Sequence, residues 1–317
     1  MSQPKGLWSQ PIRVEQPEMA CLCTARFINS AIWIVNNAKL EERILGYLAK
    51  YVEKHGVILH AFVLMGNHYH MVARFPLANR SAFFKDFNAR LAESVRELVP
   101  EFIGGPLLER RFTPQVLPLD SDVENYLLYC ALQPVHHGLT ERFSEYPSYN
   151  SFSDATAGKS RDLELLNQAK YNAARRRVGA KAKIKDFTTV YTLTYTRLPG
   201  YEHLSANEYK ALMLSKIEQR RVEILKERRK EGKGFLGAKL VKKTRPGTLP
   251  RRTKKGGMRP LILTSCAEIR SEFVSWYVKV VGWYRAASQR YLAGERDVEF
   301  PPGTYKPPGP FVALEPT

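Results

Sequence analysis

The sequence has few cysteines, no paired-cysteine motif and no long hydrophobic run. Its four cysteines among 317 residues lack zinc-finger spacing, which favours a reduced, cytoplasmic protein over a disulfide-stabilised one. Cys21 and Cys23 could offer two metal ligands, but the apolar sequence around them favours small buried hydrophobes. No stretch approaches the roughly 18 to 20 apolar residues of a membrane span. Residues 1–18 are polar and lack a signal-peptide core, so we expect a cytoplasmic globular protein.

Acidic residues are scarce in the second half of the chain. Residues 1–158 contain 15 Lys and Arg against 16 Asp and Glu, whereas the remainder contains 34 against 15, which gives the net charge of +18. A concentration of positive charge in one region predicts a surface that binds a polyanion. No lipidation signal or amphipathic anchor indicates a bilayer. Nucleic acid is therefore the first candidate partner.

Two histidines stand one residue apart in an alternating stretch, HAFVLMGNHYHMVARF, at 60–75. The Gly66-Asn67 step predicts a hairpin turn between two strands. Because successive side chains of a strand point to opposite faces, His68 and His70 share one face and Tyr69 takes the other. Two imidazoles so placed can chelate one metal ion. The alternation alone does not say which face is open, and we assign the histidines to the open face on chemical grounds.

Further along the chain, a predicted helix carries a tyrosine and a glutamine four residues apart. Tyr129 and Gln133 therefore share one helix face. A glutamine carbonyl oxygen can complete a metal site begun by two neutral imidazoles, and this mixed donor set suits Mg²⁺ or Mn²⁺. A tyrosine beside such an ion is a candidate nucleophile towards a phosphodiester. Tyr126, one turn earlier, competes with Tyr129 for that role.

Each of these features also has a plain structural interpretation. In an arbitrary protein a His-x-His pair is more often incidental, and a lone tyrosine such as Tyr129 is more often a core aromatic. Gln133 precedes Pro134 and could simply end a helix. The combination of a histidine-bearing hairpin strand with a Tyr-x-x-x-Gln helix is what favours a functional site.

The predicted elements of the first half follow the order β-α-β-β-α-β, with one further helix. The predicted strands are 20–28, 57–65, 68–74 and 112–117, and the predicted helices are 37–55, 81–98 and 120–133. This order indicates an α+β, ferredoxin-like (split βαβ, RRM-like) domain with an antiparallel sheet. Two helices would cover one face of the sheet and leave the other free for a ligand.

Three segments together resemble a known family. Residues 58–70, ILHAFVLMGNHYH, are similar to the HUH motif of the single-tyrosine transposases of small bacterial insertion sequences, and equally to that of REP-associated tyrosine transposases. Residues 129–152 resemble the family's tyrosine helix and the segment after it, and LLERRFTPQVL at 107–117 resembles the strand between them. Gln133 follows the insertion-sequence version of the helix, whereas many REP-associated relatives have asparagine there. His136-His137 replaces a more usual basic-plus-small pair, and we interpret these two as exposed loop residues, at most close to phosphate.

The resemblance implies roles for four residues. By it, His68, His70 and Gln133 are ligands of Mg²⁺ or Mn²⁺, and Tyr129 is the nucleophile. Members of the family cleave single-stranded DNA near a hairpin, form a 5′-phosphotyrosine link and leave a free 3′-hydroxyl. That hydroxyl, or an incoming one, reverses the link on another strand. Monomer and homodimer both remain open, because in the family the tyrosine helix serves its own protomer or is exchanged between two.

The resemblance covers residues 19–155, which we predict to be an HUH transposase domain after a polar segment at 1–18. Residues 156–317 are predicted to form a basic, mainly helical region, with helices at 162–177, at 205–231 and at 265–292. Glycine, proline and many cations near 232–260 predict a flexible arm that orders on a phosphate backbone. Aromatic residues between Phe273 and Tyr284 could stack on bases, but their spacing favours a buried helix face.

The sequence thus predicts a metal-dependent transposase of the bacterial cytoplasm that associates with the nucleoid when bound to DNA. The residues expected to contact DNA are Arg26, Arg110, Arg111, Arg228, Arg229, Lys242, Lys243, Arg251 and Arg252. Two alternatives are a non-catalytic or domesticated nucleic-acid-binding protein on the same fold and a metal phosphoesterase in which water attacks. The first predicts binding that a chelator does not affect, and the second predicts turnover without a covalent intermediate.

Overall fold

An antiparallel four-stranded sheet organises the chain, in the strand order β2-β3-β1-β4. The computed structural model describes residues 11–250 and 259–309. The strands of this sheet are β1 (Ala20–Arg26), β2 (Ile58–Met65), β3 (His68–Arg74) and β4 (Thr113–Leu117). The predicted element order and the antiparallel sheet of the first half are confirmed, and β3 has the predicted bounds. The hairpin turn at Gly66-Asn67 follows from the apolar alternation on both sides of it.

Helices α1 (Ala38–Lys54) and α2 (Arg80–Leu98) pack on one face of the sheet. As predicted, Asn37 caps α1 by accepting a hydrogen bond from the Leu40 amide at 3.0 Å. The prediction that Ser81 caps α2 was wrong, because Asn79 is the N-cap residue, two positions earlier. Its aromatic side chains surround Tyr69 of β3, whose hydroxyl donates to the Asn88 side chain at 2.5 Å. This face holds a core of apolar and aromatic residues, and Tyr69 is fully buried there.

The other face of the sheet is also covered, so the expectation of a free face was wrong. Helices α3 (Asp120–Ala131), α4 (Gln133–His136) and α5 (Phe152–Ala157) form this second layer, and α7 (Ala206–Lys230) packs on α4 and α5. This face is covered because it carries the apolar side chains of Leu22, Val63 and Val72 as well as polar ones, and the apolar side chains are stabilised by burial. His68 and His70 therefore lie between layers, only 5% and 6% exposed.

The second half adds a two-stranded antiparallel sheet of β5 (Arg161–Leu166) and β6 (Thr188–Leu193). The predicted helix at 162–177 was wrong in its first part, because Leu163 and Leu165 alternate with polar residues at the strand period. A shorter helix, α6 (Gln168–Val178), follows. The pair packs on the outer side of α1. Gly46 makes this possible, because a Cβ there would lie 2.7 Å from Leu165 Cδ2.

The two long helices of the second half begin at or next to the residues that were predicted to cap them. Helix α7 begins at the predicted Ser205 through a capping box with Glu208. The N-cap residue of helix α9 (Ala267–Leu292) is Cys266 rather than the predicted Ser265. It buries Tyr277, Val280 and Val281, whereas Trp276 and Trp283 are 38% and 44% exposed. The predicted buried face thus includes only part of the aromatic set.

Part of the predicted flexible arm is hydrogen bonded to the first half of the chain. The amides of Leu236 and Gly237 donate to the carbonyls of Gly138 and Leu139, and Ile32 exchanges hydrogen bonds with the 247–248 turn. Between these contacts lies the short helix α8 (Ala238–Lys242). Residues 251–258 of the arm lie outside the described residues.

The two larger hydrophobic cores contain residues from before and after position 155, where the domain boundary stays a prediction. Leu163 and Leu193 join the core under α1 and α2, and Met213 and Ile217 of α7 join the core on the histidine face. The basic half is therefore packed against the first half of the chain. Among the described residues, no helix combines the length and apolarity needed to cross a membrane.

Candidate functional site

His68 and His70 lie side by side on β3, on the face that the strand alternation predicts them to share. Their ring centroids are 4.9 Å apart and their planes are nearly perpendicular. Across the sheet, β1 places Arg26 opposite His68 and Thr24 opposite His70. Directly opposed residues of antiparallel strands share a face. The two imidazoles, a guanidinium and a hydroxyl therefore form one polar patch.

A hydrogen bond at Nδ1 orients each imidazole. His68 Nδ1 is 2.6 Å from the Asn67 Oδ1 oxygen, and His70 Nδ1 is 3.0 Å from the Thr24 hydroxyl. Because an amide oxygen only accepts hydrogen bonds, the contact with Asn67 makes Nδ1 the protonated nitrogen of His68. The Nε2 lone pair of His68 is then left for a ligand. Partners of this kind fix the tautomer and orientation of metal-binding histidines.

Burial keeps both imidazoles neutral at neutral pH. It lowers the pKa of His68 well below its usual value, with smaller contributions from His70, His137 and two arginines. Burial, followed by the charges of His137, Arg259 and Arg26, lowers the pKa of His70 to about 3. A neutral imidazole is the form that binds a metal ion.

The tyrosine helix brings two further groups to the histidines. The predicted single helix 120–133 was wrong at its end: α3 stops at Ala131 and α4 begins at Gln133, with Pro134 in its first turn, where its missing N–H is tolerated. The Tyr129 ring centroid is 6.0 Å from that of His70. Gln133 is buried, and its side chain lies close enough to His70 to raise the pKa of that imidazole slightly against the effect of burial. Its Oε1 also accepts from His137 Nε2 at 3.2 Å.

The donor set at this position fits a divalent cation. It combines two neutral, buried imidazoles with the amide oxygen of buried Gln133. In the described part of the chain, no three His, Cys, Asp or Glu side chains form a metal-binding group. A metal site here would therefore depend on the glutamine amide as its third protein donor.

Of the two candidate tyrosines, Tyr129 is the better placed. Its side chain is 37% exposed, which leaves the phenol open to a substrate while its ring contacts His70 and His136. Tyr126 lies behind it, with ring centroids 5.6 Å apart. Burial raises the pKa of Tyr126, which disfavours its phenolate. The role of nucleophile stays a prediction for Tyr129.

Arginines surround the histidine pair, and one of them comes from the second half. Arg26 and Arg259 both lower the pKa values of His68 and His70 through their charge. Arg259 is itself half-buried, and burial followed by the charges of Arg26 and Arg110 lowers its pKa. Arg110, which was predicted to contact DNA, is exposed at this cluster. Its neighbour Arg111 is also exposed.

The other predicted DNA-contact residues do not gather at the histidines. Arg228 is used internally: it donates to the His136 carbonyl at 3.2 Å and stacks on the Phe235 ring. Arg229, Lys242 and Lys243 are exposed on α7 and beside α8. Arg251 and Arg252 lie outside the described residues.

The two strand cysteines form no part of the site. Cys21 and Cys23 are fully buried on the opposite face of the sheet, with their sulfurs 3.4 Å apart, as expected for small hydrophobes.

Sequence reasoning missed four groups at this site. His137, expected to be only a loop residue, hydrogen bonds Gln133, and its spacing of four residues from Gln133 was an available signal. Asn67 and Thr24 orient the histidines, but a turn asparagine and a strand threonine carry no specific pattern. Arg259 is distant in sequence, and no local pattern relates it to the site.

The comparisons with known proteins give weak similarities of fold. No family model and no curated protein matches the sequence. Among solved structures, a REP-associated tyrosine transposase bound to a REP hairpin is similar with a TM-score of 0.40 and 15% identity, over 46% of this chain and 83% of that one. The tRNA(His) guanylyltransferase of Saccharomyces cerevisiae is similar with a TM-score of 0.31 and 12% identity, over 68% of this chain and 85% of that one. At these scores, the functional argument rests on the geometry of the site.

Proposed function

We propose that the chain is a transposase that binds single-stranded, hairpin-associated DNA and cleaves and rejoins it through Tyr129. The observation that carries the proposal is the meeting of Tyr129 and Gln133 with two buried, oriented, neutral histidines. The strand order and the placement of α1 and α2 support a ferredoxin-like domain of the HUH type. The excess of positive charge after residue 158 supports a polyanionic substrate.

His68, His70 and Gln133 would hold a divalent cation, Mg²⁺ or Mn²⁺. When bound, such an ion polarises a phosphate oxygen and offsets the charge that develops during transfer. The protein's own contribution is orientation, because Asn67 and Thr24 hold the two rings before a ligand arrives. Burial also keeps water away from the imidazole edges.

Tyr129 supplies the nucleophile in this scheme. Its phenolic oxygen loses a proton to solvent and attacks phosphorus, and the bond between phosphorus and the 3′-oxygen breaks. The 3′-oxygen takes up a proton and leaves as a free hydroxyl, while the 5′-phosphate remains bonded to Tyr129. A 3′-hydroxyl attacking that phosphate reverses the two bond changes and releases the tyrosine. No nucleotide cofactor is needed, because the bond from phosphorus to Tyr129 replaces the broken bond to the 3′-oxygen and can later be exchanged for a new one.

The test is covalent trapping on single-stranded oligonucleotides that contain hairpins. We expect the wild-type chain to form a denaturation-resistant adduct with Mn²⁺ or Mg²⁺, and to lose it with a chelator or in Tyr129→Phe. Tyr126→Phe is the matched control, since it removes the neighbouring phenol and should leave the adduct. Binding without any adduct would favour the non-catalytic alternative. Chelator-sensitive turnover that survives Tyr129→Phe would favour attack by water.

A further inference from the structure

Arg26 stands beside the candidate metal site and belongs to none of the ion pairs formed among residues 11–250 and 259–309. Its strand register places it directly opposite His68, on the histidine face of the sheet. Its Nε atom is buried and makes no hydrogen bond in the described chain. Charged hydrogen-bonding groups that are buried without a partner are costly. The Nε donor of Arg26 is therefore available to a ligand.

A segment of the second half extends the sheet at the edge next to this arginine. Strand β4 is the outermost strand, and residues 261–263 run parallel to it through a bridge between Val116 and Ile262. The Val116 amide donates to the Leu261 carbonyl at 2.7 Å, and the Leu263 amide donates to the Val116 carbonyl at 2.8 Å. Gln115 Nε2 also donates to the Pro260 carbonyl at 3.0 Å.

This edge pairing fixes the position of Arg259, the residue just before it. Arg259 lies close enough to Arg26, Arg110 and Tyr129 for each to act on its charge, and Glu109 is the acidic group nearby. In residues 11–250 and 259–309, none of the ion pairs includes Arg26, Arg110 or Arg259. The edge pairing thus holds Arg259 within electrostatic reach of Arg26, Arg110 and Tyr129.

We propose that Arg26 and Arg259 together bind one phosphate of the nucleic-acid strand at the tyrosine, with Arg259 delivered by the edge segment that pairs with β4. A guanidinium presents donors that match two oxygens of a phosphate. Both a carboxylate and a phosphodiester present two oxygens to a guanidinium, but only the phosphodiester has a bond that the nearby exposed phenol of Tyr129 can break by attack at phosphorus. The inference deepens the proposed function and rests on it for the identity of the strand.

The proposal also gives the second half of the chain a role inside the site. Arg259 follows the basic arm in sequence, and its position depends on backbone hydrogen bonds to β4 rather than on a helix. The same pairing that closes the open edge of the sheet would thus complete the phosphate site.

The test measures binding and adduct formation separately on the full chain. Binding to a fluorescent oligothymidylate of about 20 nucleotides is followed by anisotropy in EDTA, over about 50 to 300 mM NaCl. The variants are Arg259→Gln, Arg26→Gln and the double variant. Arg176→Gln is the matched control: this arginine is exposed on α6, in the unit that packs outside α1 on the other side of the sheet. Far-ultraviolet circular dichroism and thermal unfolding check that each variant folds.

We expect each single variant to bind about tenfold more weakly. The double variant should reduce the logarithmic salt slope by about 0.7, the value for the loss of one single-strand phosphate contact. The double variant should lose less than the product of the two single losses, because both arginines serve one phosphate. Arg259→Lys should retain part of the affinity, and Arg176→Gln should match the wild type. Inorganic phosphate at matched ionic strength should compete weakly.

Wild-type affinity and salt slope in folded Arg259→Gln would overturn the inference. Multiplicative losses in the double variant would assign the arginines to separate phosphates and overturn the shared site. Tight binding of inorganic phosphate with no dependence of oligonucleotide binding on Arg259 would indicate a free-phosphate site instead. These outcomes can be told apart from a failure of the proposed function, because the binding measurement is made without metal and does not depend on adduct formation. An adduct that forms at the wild-type rate in both variants would refute the phosphate site alone.

Discussion

The hydroxyl of Thr24 offers a sensitive test of the histidine pair, because it acts on the site only through His70. Thr24→Val keeps the shape of the side chain and its strand preference but removes the oxygen that lies 3.0 Å from His70 Nδ1. The ring of His70 then loses the contact that orients it. Loss of such an outer hydrogen bond typically weakens metal affinity by about 10- to 100-fold, or roughly 1.4 to 2.8 kcal/mol.

The assay is the Mn²⁺ concentration that gives half-maximal adduct, measured on one hairpin oligonucleotide. We expect the midpoint to rise by about 10- to 100-fold in Thr24→Val, with the same adduct yield at saturating metal. Thr140→Val is the matched control, because Thr140 is equally buried and its hydroxyl has no hydrogen-bond partner in the described chain. Its midpoint should not change. An unchanged midpoint in folded Thr24→Val would refute the claim that His70 is a ligand held by this contact.

Two further predictions concern assembly and pH. Helix α3, which carries Tyr129, packs on the sheet of its own chain and is joined to α7 by the Lys216–Glu124 pair at 2.7 Å. Mixing Tyr129→Phe with His70→Ala should therefore not restore the adduct; restoration would show that helices are exchanged between chains. His70 has a lowered pKa of about 3 in the folded chain, so the unfolded chain binds its proton first. The stability that depends on neutral His70 is therefore complete above about pH 6.5 and is lost as pH falls towards 3, by up to about 1.4 kcal/mol per pH unit. Chemical denaturation between pH 7 and 4 should show a shallower loss in His70→Gln than in the wild type, and equal slopes would contradict the buried neutral state.

The first half of the fold could be predicted because its signals are local. The alternating apolar residues on either side of Gly66-Asn67 predicted both strands of the hairpin. Asn37 caps α1 as expected, and in the second half of the chain Ser205 likewise caps α7. Predictions from local sequence patterns were wrong where packing between distant segments determines the structure. The histidine face looked free because nothing near His68 in sequence indicates that α3, α4 and α5 would cover it. Pro134 was expected to stop a helix, yet it lies in the first turn of the next one.

The candidate site was predicted in the same uneven way. The spacing of His68 with His70 and of Tyr129 with Gln133 determined which side chains could meet, and the structure brings all four together. Arg259 could not be found from the sequence, because its place depends on pairing between segments that are far apart in the chain. Strand pairing at a sheet edge leaves little trace in a single sequence, and an arginine in a basic arm is one among many.

The most direct test of the central claim is to identify the amino acid that carries the DNA. The wild-type chain is incubated with a hairpin oligonucleotide and Mn²⁺, digested with protease and nuclease, and analysed by peptide mass spectrometry. The proposed mechanism predicts a nucleotide joined through a 5′-phosphate to Tyr129, and no modified peptide when a chelator is present. A modification at Tyr126 or another residue, or cleaved DNA without any modified peptide, would contradict it.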